Sequence, residues 1–145
     1  MKIENIIRRV LREQEEEKLL KIPSLKFFNN DWNILQKFLE SQGYPRYSIG
    51  GDLDLSFSDI KTLGNLVRVE GNLNLYACIS LQSIENLEYV GGDLYLDLCQ
   101  NLESLGNLKY VGHSLYLPYT PLEKKYSNEQ IRRMVNVIGH IHRDK

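Results

Sequence analysis

Between Gly50 and Leu122 the chain writes one short phrase four times, and this constrains its fold more than any other feature. Gly51-Asp-Leu-Asp-Leu-Ser-Phe, Gly71-Asn-Leu-Asn-Leu-Tyr-Ala, Gly92-Asp-Leu-Tyr-Leu-Asp-Leu and His113-Ser-Leu-Tyr-Leu-Pro-Tyr align without gaps. Their first leucines, Leu53, Leu73, Leu94 and Leu115, are separated by steps of 20, 21 and 21 residues. A period this short predicts a solenoid, in which each coil stacks on the last and touches only its neighbours.

Within each copy the period is two. Leu53-Asp-Leu55, Leu73-Asn-Leu75, Leu94-Tyr-Leu96 and Leu115-Tyr-Leu117 alternate apolar with polar or aromatic residues, the pattern of a strand with one buried face. The alternation extends inward placement to Phe57, Ala77, Leu98 and Tyr119. Ser58, Cys78, Cys99 and Thr120 follow, small groups suited to backbone left unpaired at a corner. Ile60, Leu81, Leu102 and Leu122 then form another apolar column. The return half repeats as well, with core positions at Leu66/Leu87/Leu108 and Val69/Val90/Val111. An Asn ladder at Asn65, Asn86 and Asn107 is placed to bond turn backbone. Ile49 reads as the end of an earlier, incomplete copy, and Gly51, Gly71 and Gly92 permit the bend into the next strand.

The pattern Leu-x-Leu-x-x-Cys/Ser/Thr-x-(x)-Leu resembles the leucine-rich-repeat superfamily. The form Asn-Leu-x-Tyr-Val-Gly-Gly-Asp-Leu-Tyr-Leu is most similar to its receptor L-domain type, which implies short coils with no full helix on the return side. The expected class is α+β: a short leucine-rich-repeat-like parallel β-solenoid of about four coils, with N-terminal helices and a C-terminal capping helix. Residues 1–45 form the helical N-terminal segment and cap, 46–122 the solenoid, and 123–145 the capping helix and a basic tail, all in one domain.

Open solenoid ends expose edge strands, and the flanks read as helices that cover them. Ile3, Ile6, Ile7, Val10 and Leu11 make one apolar helical stripe, with Arg8, Arg9, Arg12 and Glu13 opposite, a candidate partner helix. This opening resembles the first helix of many small proteins encoded by marine tailed bacteriophages, which implies a host, defence or virion partner. Residues 17–30, with Pro23 and Asn29-Asn-Asp, resemble a hinge. A second helix is capped near Asn30 or Asp31, carries Trp32, Leu35, Phe38 and Leu39, and stops at Gly43. A third starts at Ser127, whose spacing to Gln130 fits a capping box, and presents Ile131, Met134, Val135 and Ile138.

Twelve outward side chains share a patch about 15 Å high on the strand face. The candidate binding residues there are Asp52, Asp54, Asn72, Asn74, Tyr76, Asp93, Tyr95, Asp97 and Tyr116, since tyrosine among Asp and Asn suits recognition. Arg68, Tyr89 and Tyr110 form a second stripe on the return side. Paired carboxylates invite comparison with glycosidases, but an open four-coil face has no walls to exclude water, so no enzyme is expected. Cys78 and Cys99 fall in one column within disulfide range and read as inert buried thiols. His140 and His142 lie two apart in a small basic tail and do not share a metal readily. No cofactor or metal is expected. Eighteen Lys and Arg against nineteen Asp and Glu give a net charge of −1, which points to no nucleic acid. No apolar run is long enough for a membrane, and Glu4, Arg8 and Arg9 interrupt any signal peptide. The expectation is a protein-binding module in a reducing cytoplasm (a host cytoplasm or virion on the phage likeness). The readings beside it are an assembly protein tethered by its first helix and a carbohydrate binder using the same face. Homo-oligomers through the solenoid ends or the first helix fit the same pattern.

Overall fold

The computed structural model describes residues 2–144, the side chains of residues 15–17 excepted. Helix α1 (Ile3–Glu17) leads to strand β1 (Leu20–Ile22), a 3-10 turn (Leu25–Phe28) and α2 (Trp32–Ser41). The strands β2 (Tyr47–Ile49), β3 (Leu53–Asp54), β4 (Leu66–Val69), β5 (Leu73–Asn74), β6 (Tyr89–Val90), β7 (Leu94–Tyr95), β8 (Tyr110–Val111) and β9 (Leu115–Tyr116) follow. Two short helices, α3 (Pro121–Lys125) and α4 (Asn128–Met134), precede the final strands β10 (Asn136–Val137) and β11 (Ile141–His142). The class is α+β. From β2 onward, successive strands alternate between a six-stranded sheet of order β1-β2-β4-β6-β8-β10 and a five-stranded sheet of order β11-β9-β7-β5-β3. All pairings are parallel.

The repeat sets the register. Leu53 pairs with Leu73, Leu73 with Leu94, and Leu94 with Leu115. Both leucines of each pair are buried, as are Leu66, Leu87, Leu108, Val69, Val90 and Val111 from the other sheet, so one core lies between the two sheets. Polar columns tie each copy to the next. Asn65 Nδ2 donates to the Tyr44 carbonyl at 2.7 Å, Asn86 to that of Gly64 at 3.0 Å and Asn107 to that of Glu85 at 3.0 Å. At the corner, the Cys78 and Cys99 thiols donate to the Leu55 and Leu75 carbonyls at 3.0 and 3.1 Å, and Thr120 Oγ1 to that of Leu117 at 2.7 Å. A column of small donors thus adds a second hydrogen bond to carbonyls that already accept the amide closing the turn.

The column Phe57, Ala77, Leu98 and Tyr119 does not point inward as the alternation predicts. Each is the third residue of a turn closed by a backbone bond from the fourth residue to the first, such as Ser58 N–H to Leu55 at 3.2 Å and Cys99 N–H to Leu96 at 3.0 Å. All four take positive φ, from 56° to 63°, which ends the pleat and turns the side chain away from the core. Phe57 is left 75% exposed and Tyr119 58%. The glycines also differ in role. Gly51 adopts φ +70° as a bend requires, but at Gly71 and Gly92 the need is room: a Cβ there would sit 2.2 Å from Asp52 Oδ1 and 2.1 Å from Asn72 Oδ1.

Both ends carry more sheet than the sequence suggests, which extends strand structure beyond residues 46–122. The stretch 17–30 is not a hinge: Leu20, Lys21 and Ile22 pair with Tyr47, Ser48 and Ile49. Asp31 caps α2, accepting from the Asn33 and Ile34 amides, and the helix buries Leu35 and Leu39 over this end. At the other end the Ser127–Gln130 capping box is present, but α4 stops at Met134. Ile131 and Val135 are buried while Met134 and Ile138 are exposed. The end of the expected third helix instead supplies β10, and the expected basic tail supplies β11, a further pair of strands on the stack. Arg132 crosses to the Val137 and Gly139 carbonyls at 2.7 and 2.9 Å, so a cation covers acceptors near the last edge. Among the described residues no helix is long and apolar enough to cross a membrane.

Candidate functional site

Parallel strands about 4.8 Å apart place residues of matched register face to face. On the outer side of the five-stranded sheet that row reads Asp54, Asn74, Tyr95, Tyr116, His142. The Tyr95 and Tyr116 rings stack with centroids 4.5 Å apart and planes 16° apart, and Tyr116 stacks on His142 at 4.3 Å and 6°. His142 was no part of the sequence-based site. It occupies a strand rather than a helix, where residues two apart share a face, and His140 lies 6.1 Å from it edge-on. Because the rings spend their faces on one another, the stack offers its edges and hydroxyls to an incoming partner.

The short polar candidates have structural work. Asp52 Oδ1 accepts the Asn72 amide at 2.7 Å, Asn72 Oδ1 accepts the Asp93 amide at 2.7 Å, and Asp93 Oδ1 accepts the Ser114 amide at 2.9 Å. These three side chains form a ladder between copies. Asp54 and Asn74 close the strand exits by accepting the Ser56 and Tyr76 amides at 3.0 and 2.9 Å. Tyr76, Tyr95 and Tyr116 remain as candidates whose side chains are not committed to backbone, and Asp97 leaves one carboxylate oxygen without a partner. Tyr76 meets Phe57 edge-on at 5.4 Å. With Ile79 and Tyr119 exposed alongside, an apolar margin flanks the stack. Holding bulky residues such as Phe57 and Tyr119 in the left-handed region costs about 1 kcal/mol each. Their hydrophobicity hid them, since alternation assigned both to the core.

Burial raises the Tyr95 hydroxyl's pKa, aided by the neighbouring Asp93 charge. Asp97 is half-buried, its Oδ1 has no hydrogen-bond partner, and burial pushes its carboxyl up, with a hydrogen bond from its own backbone amide and then the nearby His142 opposing. A folded-state value above the unfolded one means that this group's stabilising contribution is complete below the unfolded value and is lost as pH rises through the folded one. Asp97→Asn should therefore be more stable than the parent at pH 7, by about 1 kcal/mol for a half-buried, unsatisfied charge. The gain should shrink towards pH 3. Urea unfolding of both proteins at the two pH values measures this, and a variant less stable than the parent at pH 7 would refute it.

The remaining candidates lie elsewhere. Ile3, Ile6, Ile7, Val10 and Leu11 line α1 and are all exposed, between 38% and 74%. Cys78 and Cys99 are buried and free; burial raises both thiols, Cys99 to about 12, which keeps them protonated at neutral pH. On the six-stranded sheet the Arg68 guanidinium sits 3.6 Å from the Tyr89 ring centre, and Tyr89 stacks on Tyr110 at 4.8 Å and 8°. No family model, curated protein or solved structure matches the chain.

Proposed function

We propose that the chain is a short leucine-rich-repeat-like solenoid of the receptor L-domain type. Its function is to bind a protein, without catalysis, on the outer face of its five-stranded sheet. The observation that supports this reading is the Tyr95–Tyr116–His142 stack with its exposed margin of Phe57, Tyr76, Ile79 and Tyr119. Rigid aromatic area on paired strands loses little conformational entropy when a partner docks, and tyrosine hydroxyls with nearby carboxylates supply polar contacts. Asp54, Asp93 and Asp97 give the face negative character, so the partner surface that fits is apolar with basic groups. A sugar would need a free ring face, and the stack leaves few, so carbohydrate binding ranks behind protein binding.

A second reading rests on α1, whose five exposed apolar side chains form an unpartnered stripe. It makes the chain an assembly component held to a larger particle by that helix; the phage likeness would make the particle a virion and the setting a host cytoplasm. Two variants separate the readings. Immobilised parent protein, a form lacking residues 1–19, and Tyr95→Ala/Tyr116→Ala are each incubated with extract of the source cell, and the retained proteins are compared. Face binding predicts that the truncated form keeps the parent's partner and the tyrosine variant loses it. Retention by the tyrosine variant with loss on truncation would replace it with the tether.

A further inference from the structure

We propose that His140 and His142 form a two-histidine site for a borderline divalent metal ion, with Cu²⁺ the tightest ligand and Zn²⁺ a weaker one. The site needs no protein partner and uses no tyrosine hydroxyl, so it stands independently of the binding-face reading. On a helix, residues two apart diverge, whereas on an extended strand they share a face. The backbone here is extended. The His140 and His142 carbonyls accept the Leu115 and Leu117 amides, both at 2.9 Å, and Ile141 between them pairs with Leu115. Ile141 packs against the core, which leaves the two imidazoles side by side on the outer face. Strand β11 ends its sheet, so among the described residues no strand lies beyond the pair.

The spacing is that of a chelate. Metal–nitrogen bonds of about 2.0 Å put the centres of two rings sharing an ion about 5 Å apart at a tetrahedral angle and about 6.4 Å apart when opposed. The ring centres of His140 and His142 are 6.1 Å apart, inside that range. His140 engages Ser114 Oγ through its backbone amide alone, at 3.2 Å, and neither imidazole is hydrogen-bonded to a described residue. Their nitrogens are therefore open to an ion. Stacking on Tyr116 at 4.3 Å and 6° holds the His142 ring, which reduces the entropy lost on binding. Imidazole nitrogen selects Cu²⁺ and Zn²⁺ over Mg²⁺ and Ca²⁺, and Cu²⁺ binds the more tightly of the first two. Cys78 and Cys99 are buried and do not compete for it. Among the described residues no group of three or more His, Cys, Asp or Glu side chains could hold a metal. Two histidines are thus the protein's share, and water fills the other positions.

The test is isothermal titration calorimetry of the full chain with Cu²⁺, Zn²⁺ and Mg²⁺ at neutral pH. One equivalent of Cu²⁺ should bind saturably, Zn²⁺ more weakly, and Mg²⁺ should give no signal. His140→Ala and His142→Ala should each lower the Cu²⁺ affinity about a hundredfold, because either change removes the second, intramolecular ligand. Both side chains are exposed, so both variants should keep the parent's circular dichroism. His113→Ala removes the third of the chain's three histidines and should bind Cu²⁺ like the parent. The proposal is overturned by the absence of a saturable Cu²⁺ site, by parent-like affinity in either single variant, or by loss of binding in His113→Ala. Mg²⁺ binding as tight as that of Cu²⁺ would overturn it too, by assigning the ion to carboxylates.

Discussion

Gly112→Ala should destabilise the protein by about 3 kcal/mol, the upper part of the range for overpacking. A Cβ at this position would lie 2.0 Å from the Gly91 carbonyl oxygen and 2.8 Å from its carbon. Those are backbone atoms of the neighbouring copy, fixed by the bond from the His113 amide to the Gly92 carbonyl at 3.0 Å and from the Gly112 amide to that of Val90 at 2.8 Å. No side chain can swing aside, so relief requires two copies of the repeat to part. Gly43→Ala is the control. Its φ is +79° but nothing lies within 4 Å of the added methyl, so only the local backbone cost of about 1 kcal/mol applies. Urea denaturation midpoints at a common slope compare the two, and equal losses would contradict the close stacking.

Leu94→Ala is expected to cost a similar amount, about 3 kcal/mol, because it opens a cavity at the middle of the stack. Leu94 is fully buried and lies between Leu73 and Leu115 in register, so neighbours on both sides lose contact. Leu98, four residues on and identical in type, behaves differently. It is only partly buried and sits at φ 63°, where Cβ is a liability. Leu98→Gly should be nearly neutral, the lost apolar contact being offset by about 1 kcal/mol of relieved backbone strain. The contrast between these two leucines is read from the same unfolding experiment. Equal destabilisation by both would mean that the corner turn is misplaced.

That contrast also explains what the sequence reveals of the fold. The ladder Leu53, Leu73, Leu94 and Leu115, the Asn column and the Cys–Thr corner were legible because each repeats at a fixed step and each chemistry has one purpose. Ser127 was legible as a cap from its spacing to Gln130, and of the two cap candidates Asn30 and Asp31 it is Asp31 that accepts the helix amides. The corner residues were not: a period of two continues without a break from Leu55 to Phe57, and no glycine or asparagine marks the positive φ. Strand β1 was missed because three residues before Pro23 carry too little pattern. The last strand was missed because α3 and α4 intervene, lengthening the step from Leu115 to Ile141 to 26 residues. Its signal was present, since Gly139-His-Ile-His matches Gly92-Asp-Leu-Tyr with imidazole in the tyrosine position.

The candidate site was legible in its aromatics and not in its acids. Tyr95 and Tyr116 stack where the repeat puts them, and the same step would have added His142. Asp52, Asn72 and Asp93 look like free surface groups until glycine at 71 and 92 is recognised as leaving space for Asp52 and Asn72. Only then does it emerge that these side chains bond the next copy's backbone, which leaves the tyrosines, Asp97 and the exposed corner as the residues of the proposed binding face.

Every face described above depends on consecutive copies lying side by side. Methyl-selective labelling of leucine, with assignments from single substitutions, allows nuclear Overhauser contacts to be read between copies. The stacked arrangement requires cross-peaks from Leu94 to both Leu73 and Leu115 and none between Leu73 and Leu115, which lie two copies apart. Leu94 methyls that see only residues close in sequence would contradict the account.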